Sequence, residues 1–204
     1  IITEGLWIDH PSASNASGVP HIYGAAALEG WKRVISAVHA AGSRIAAQLW
    51  HVGALASDST SDTRPAQILS PSGFYRENVI IGKPMTNAEI EAVIEAYASG
   101  VANARDAGFD AVEFHGAHGY LIDQFLWART NRRSDAYGGD LRARTRFACE
   151  MIAECRRRVG PDYPLILRIS QFKYEDYEYK HAGNPRELAD LVEPLSDAGI
   201  SAFH

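Results

Sequence analysis

Two histidines three residues apart, His115 and His118, are followed at once by Tyr120 in the run His115-Gly116-Ala117-His118-Gly119-Tyr120. Paired imidazoles can turn two N–H donors toward one ligand oxygen, and a phenol is a weak acid able to give a proton late in a reaction. The same spacing also suits one core histidine and one loop histidine. It suits a metal site too, with His51 or Glu113 as the third ligand. Gln48, in Ala46-Ala47-Gln48-Leu49-Trp50-His51, carries a donor and an acceptor, so its amide can read the imide edge of a planar heterocycle. Trp50 suits a pocket wall or a core position. Arg168 interrupts the apolar run Leu165-Ile166-Leu167-Arg168-Ile169-Ser170. A charge there is costly unless paired, either inside the protein, with Glu113, or with an anionic or electron-rich ligand.

These residues need elements to place them. Apolar residues at helical spacing predict helices over 25–41, 87–107, 141–159 and 185–198. Thr86 and Glu89 form a capping box before the second, and Gly42, Gly108, Gly160 and Gly199 supply stops. Pro194 removes a hydrogen bond inside the last helix and should kink it. Short apolar runs follow the helices, at 44–49, 111–114, 165–169 and 200–203, with an earlier one at 1–3. Short apolar strands between amphipathic helices suit a parallel sheet buried on both faces. The polar clusters Glu4-Gly5, Gln48 with Trp50-His51, His115 to Tyr120, and Arg168 with Ser170 each follow such a run. Ligand groups at the C-terminal ends of several strands favour a β/α barrel over a doubly wound sheet, which binds mainly at one switch point. No G-x-G-x-x-G follows any strand. Two long connections, 52–84 with its polar tract 57–63 and 120–140, are placed to cover a ligand. The Tyr- and acid-rich stretch 174–179 suits a subfamily lid or a solvated loop, and reads better as the loop.

The 204 residues are enough for one sizeable core, so a single domain over 1–204 is expected. A net charge of -5 leaves no electrostatic footprint for nucleic acid. Arg156, Arg157 and Arg158 close a helix, where positive charge complements the dipole. No apolar run is long enough for a membrane span, and no signal peptide is visible. Cys149 and Cys155 share one helix and read as thiols of a reducing cytosol, Cys155 on the core face. The first residue is Ile1 rather than Met, and the last residues read as a strand, so an internal portion of a longer protein is expected.

The stretch Gly108-Phe109-Asp110-Ala111-Val112-Glu113-Phe114-His115-Gly116-Ala117-His118-Gly119-Tyr120-Leu121-Ile122-Asp123-Gln124-Phe125-Leu126 strongly resembles the Old Yellow Enzyme family of NADH:flavin oxidoreductases. So does Asn131-Arg132-Arg133-Ser134-Asp135-Ala136-Tyr137-Gly138-Gly139 with Arg146-Phe147, and Thr3-Glu4-Gly5 and Gln48-Leu49-Trp50-His51-Val52-Gly53 match in the same order. The resemblance implies a TIM-type β/α barrel, present here as about five strands and four helices, with FMN at its C-terminal face and NADPH or NADH as reductant. It implies that Gln48 bonds the flavin's pyrimidine edge. Arg168 would stabilise the negative charge of reduced flavin beside N1 and the C2 carbonyl, and Gly5 would allow close backbone approach. His115 and His118 would hold the carbonyl or nitro oxygen of a small-molecule activated alkene, Trp50 would line its cavity, and Tyr120 would protonate the carbon next to the activating group.

Some features depart from the family pattern. The first strand and the later phosphate-binding strands are absent, residues 6–23 differ, and no Pro follows Ser170 in Ile169-Ser170-Gln171-Phe172-Lys173. Three other readings stand beside the ene-reductase. One is a superfamily dehydrogenase or demethylase with an added iron–sulfur module. Another is a barrel metallohydrolase using His115 and His118, and the third is a degenerate barrel serving as a binding module. A homo-oligomer is compatible with all of them.

Overall fold

A computed structural model describes residues 1–204 apart from 15, 17, 59–64, 66 and 175. From residue 59 onward the polar tract 57–63 lies outside the described residues. Among the described residues, helices and strands alternate along the chain. They are β1 (Ile2–Trp7), α1 (Ala25–Ala40), β2 (Ala46–Trp50), β3 (Phe74–Arg76), β4 (Val79–Ile80), α2 (Asn87–Ala107), β5 (Ala111–His118), α3 (Leu121–Leu126), α4 (Leu141–Arg144), α5 (Arg146–Val159), β6 (Leu165–Lys173), α6 (Pro185–Asp197) and β7 (Ala202–Phe203). β1, β2, β5, β6 and β7 pair in parallel and in chain order, while β3 and β4 form a separate antiparallel pair. A doubly wound sheet reverses its order at a switch point; a barrel adds each strand beside the last. The five-stranded sheet is therefore an incomplete β/α barrel.

Side chains alternate across each strand. Leu49 of β2, Val112 and Phe114 of β5, and Leu165 and Leu167 of β6 join the core made with Ile90, Val93, Tyr97 and Val101 of α2 and Met151, Ile152 and Cys155 of α5. Gln48, His115 and Arg168, next to these positions, face the other way and line the cavity described below. The capping box at α2 forms as expected: Thr86 Oγ1 accepts from the Glu89 amide at 3.2 Å, and Glu89 Oε2 accepts from the Thr86 amide at 2.7 Å. Gly108 ends the helix at φ 102°. Cys149 and Cys155 are both free thiols, and Cys155 is buried. No described helix is long and apolar enough to cross a membrane.

The expected helix over 141–159 is two helices. Arg144 turns inward, donating to the carbonyls of Leu126 (2.8 Å) and Gly139 (2.6 Å), and the Thr145 hydroxyl donates to the Arg142 carbonyl at 2.7 Å, closing α4. α6 runs on through Pro194. β5 and β6 extend well past their apolar runs, so His115, His118, Arg168 and Ser170 lie within strands rather than after them. Pairing between β5 and β6 carries the ladder on where hydrophobicity stops. In the connection after α3, a Cβ at Gly138 would sit 1.8 Å from the Arg133 carbonyl oxygen, so only glycine allows that turn.

Candidate active site

Parallel register lines up the site. Gly5 pairs with Gln48, Gln48 with Glu113, and His115 with Arg168. Neighbouring strands lie about 4.8 Å apart, so these side chains form adjacent rows on one face of the sheet. They open into a cavity of 510 Å³ lined by Thr3, Glu4, Gly5, Val19, Gln48, Trp50, His115, Tyr120, Arg168 and Tyr174. Six of the seven residues singled out from sequence meet there. His118 stands just outside: its ring centroid is 5.5 Å from that of His115, and its face stacks on Phe172 at 5.0 Å.

Tyr120 is wedged between the Trp50 ring (5.2 Å) and the His115 ring (4.7 Å), both edge-on. Burial, and then nearby Tyr174, push its phenol above the usual range, so it stays protonated at neutral pH. Burial, followed by His118 and Arg168, pushes His115 down to about 3, so its imidazole is neutral. His115 Nδ1 is buried without a hydrogen-bond partner among the described residues. A buried polar atom left unpaired in the protein is one that a ligand can satisfy.

Arg168 is half-buried, and its guanidinium makes no hydrogen bond or ion pair with any described residue. Glu113 is not its partner. That carboxylate, fully buried, accepts from Gln48 Nε2 at 2.6 Å and lies 2.6 Å from His204 Nδ1. The internal pairing considered from sequence is thus taken by an amide and an imidazole, and Arg168 is left facing the cavity. The bond to Glu113 also orients Gln48, leaving its carbonyl oxygen and one N–H for another partner. The metal reading meets the same obstacle. Glu113 is engaged, and His51 is turned to its own partners. Among the described residues no three His, Cys, Asp or Glu side chains gather in metal-binding geometry.

His51 is wholly buried. Its Nδ1 accepts from the Gly53 amide at 3.0 Å, which assigns the ring proton to Nε2, 3.1 Å from Ser12 Oγ. Its carbonyl receives the Leu121 amide at the start of α3, 3.1 Å away. Burial, then His10, pushes the imidazole down to about 3. Between pH 6.5 and 3 the unfolded chain therefore binds a proton that the folded chain refuses. Stability supplied by neutral His51 is complete above pH 6.5 and falls as the pH drops, by about 1.4 kcal/mol per unit. Replacing His51 with Gln in the full-length protein should remove that much slope from unfolding free energy measured between pH 6.5 and 5. An unaltered slope would show that His51 does not carry it.

Sequence reasoning missed a second cluster. Lys173, at the end of β6, is completely buried. Its Nζ lies 2.8 Å from Asp123 Oδ1 and 2.6 Å from His181 Nε2, which is itself 2.6 Å from Asp123 Oδ1. Within the stretch 174–179, of which residue 175 lies outside the described residues, Tyr174 walls the cavity and Tyr179 packs on Trp127, so these two do more than the solvated loop expected. One signal was available, since counting by twos from Leu165 and Leu167 puts Lys173 on the same side of β6.

The model of the NADH:flavin oxidoreductase / NADH oxidase family matches residues 1–200. The chain is 34% identical over 204 residues to 12-oxophytodienoate reductase 2 of Arabidopsis thaliana, covering 95% of this chain and 54% of that protein. It is 32% identical over 209 residues to an NADH oxidase of Thermoanaerobacter brockii, covering 100% of this chain and 31% of that one. Among solved structures it is similar to morphinone reductase in complex with tetrahydroNAD, with a TM-score of 0.84 and 32% identity over the whole chain and 59% of that structure. The chain thus spans about half the length of the first relative and less of the second. On the family match over nearly its whole length, joined to the sequential parallel sheet and its cavity, this chain belongs to the NADH:flavin oxidoreductase / NADH oxidase family.

Proposed function

We propose that residues 1–204 form one domain, the internal portion of an FMN-binding barrel, in an ene-reductase that reduces activated C=C bonds of α,β-unsaturated carbonyl or nitro compounds with NADPH or NADH. The observation that carries this reading is the convergence of an oriented amide, a guanidinium without a partner among the described residues, a neutral imidazole and a protonated phenol on one cavity. Its 510 Å³ is in the range of small-molecule sites.

The residues present fit FMN. Gln48 has an acceptor and a donor left for an imide edge, and Arg168 supplies a cation that no described carboxylate neutralises. Gly5 leaves bare backbone where a Cβ would stand only 3.1 Å from the Trp50 ring. When bound, FMN supplies the two-electron chemistry that links nicotinamide to alkene. Gln48 and Arg168 would hold its pyrimidine end, and the positive charge of Arg168 favours the reduced, anionic form. His115, kept neutral, offers an N–H to the activating oxygen of the substrate, and this bond strengthens as charge builds there. His118 would join it on that oxygen. Trp50 sets the width of the cavity, and Tyr120 delivers its hydroxyl proton to the carbon beside the activating group. The expected setting is cytoplasmic.

The visible absorption spectrum of the purified full-length protein tests the class. Flavin bands that remain after dialysis are expected; a colourless protein that takes up no added FMN would end this reading. Arg168→Met should weaken FMN binding about ten- to a hundredfold, the worth of a charged hydrogen bond of about 1.5–3 kcal/mol. Fluorescence titration of the apoprotein measures it, and an undiminished affinity would remove Arg168 from the cofactor site.

A further inference from the structure

The turn that presents Tyr120 is strained. His118 has φ 63° and Gly119 φ 92°, and a non-glycine residue in that region costs about 1–3 kcal/mol unless its surroundings hold it. Two amide hydrogen bonds hold this one, beside the bond that Gln124 Nε2 donates to the Gly119 carbonyl at 2.6 Å. The His118 amide donates to Ser170 Oγ at 2.9 Å, and the Gly119 amide donates to Asp123 Oδ2 at 2.6 Å. Both acceptors are tied to Lys173, whose Nζ donates to the Ser170 carbonyl at 3.3 Å and to Asp123 Oδ1 at 2.8 Å. Lys173 is also the residue paired with His118 between β5 and β6.

The cluster is closed and electrically balanced. Lys173 and Asp123 have fully buried side chains, and that of His181 is 2% exposed. Burial lowers His181, so the imidazole is neutral beside one carboxylate and one ammonium. A buried pair that sums to zero is tolerated, whereas either ion alone is not. The groups facing His181 are Asp123 of α3, Lys173 at the end of β6, Tyr179 after it, and Arg144 of α4. Tyr174 follows Lys173 directly and stands over His118 at 5.4 Å and Tyr120 at 6.4 Å.

We propose that Asp123, Lys173 and His181 form a clamp that locks the segment after β6 onto the His118–Gly119 turn, making Lys173 and His181 positioning residues for Tyr120 and fixing Tyr174 as a wall of the substrate cavity. The catalytic part of this inference rests on the ene-reductase reading; the mechanical part does not.

The test uses the full-length flavin-loaded enzyme carrying Lys173→Met, which keeps most of the length of the side chain and removes its charge. Hydrogen–deuterium exchange, read without substrate, should show faster exchange in peptides covering residues 118–121 and 179–183. In stopped-flow measurements with cyclohex-2-enone, the alkene half-reaction should slow about ten- to a hundredfold, the cost of misplacing a reacting group by about 1 Å. Flavin reduction by nicotinamide should keep its rate. Lowering the pH should restore part of the loss, because protonated His181 then replaces Lys173 as the cation beside Asp123; the unmodified enzyme should lack that rise. Adding His181→Phe should abolish the recovery. Unaltered exchange together with an unaltered alkene step overturns the clamp. If Lys173→Met does not yield folded protein, His181→Gln keeps the ion pair and should give the same exchange signature at smaller amplitude; protection equal to that of the unmodified protein overturns the proposal. An unmodified enzyme inactive on enones counts against the ene-reductase reading alone, because the exchange experiment still decides the mechanical part.

Discussion

Tyr120→Phe in the full-length enzyme should slow reduction of an enone about a hundred- to a thousandfold, within the range that general acids contribute. The ring remains, so its edge contacts with Trp50 and His115 persist and the cavity keeps its shape. Only the hydroxyl is lost, and with it the proton that the ene-reductase reading assigns to the carbon beside the activating group. Because burial holds the phenol above its ordinary range, the unmodified enzyme carries the proton through neutral pH, and its alkene step should decline only at strongly alkaline pH. Single-turnover kinetics separate this step from flavin reduction by nicotinamide, where Tyr120 has no assigned task. If reduction of the enone is as fast in the variant, another group delivers the proton and the role given to Tyr120 is wrong.

Asp123→Ala should cost about 3–5 kcal/mol of stability, the penalty for removing one member of a buried ion pair. The reason is asymmetric. The carboxylate accepts from Lys173 and the Gly119 amide and lies against His181. Its loss strands an ammonium that has no route to water. Burial already works against the Lys173 charge, and Asp123 is what opposes that effect. Guanidinium unfolding of the full-length protein measures the change, read as a lower midpoint at constant slope. A loss below about 1 kcal/mol would mean that water reaches Lys173 and that the cluster is not sealed. The double variant Asp123→Ala with Lys173→Met should recover part of the loss, since no charge is then left buried.

Much of the architecture was legible along the chain. The helices at 25–41, 87–107 and 185–198 were placed to within a residue because each has a periodic apolar face and a defined stop, and Thr86 with Glu89 marked its start by a local rule. The break at Thr145 was not legible. It depends on where the Arg144 side chain finds acceptors, and those carbonyls belong to Leu126 and Gly139. Strand ends were short by several residues in β5 and β6, because hydrophobicity stops where the ladder does not.

The chain by itself marked Gln48, His115, Tyr120 and Arg168 as the candidates for chemistry and placed them toward the C-terminal ends of strands, since residue type and local period are properties of nearby sequence. Register decided the rest. Pairing Gln48 with Glu113 and His115 with Arg168 gave Glu113 to the amide, left the guanidinium unclaimed by any described residue, and put His118 beside the cavity rather than in its wall. The Asp123, Lys173 and His181 cluster joins residues up to 58 positions apart. Partners that distant leave no periodic trace, because what selects them is burial of charge, a quantity that exists only once the sheet and its loops have closed around it.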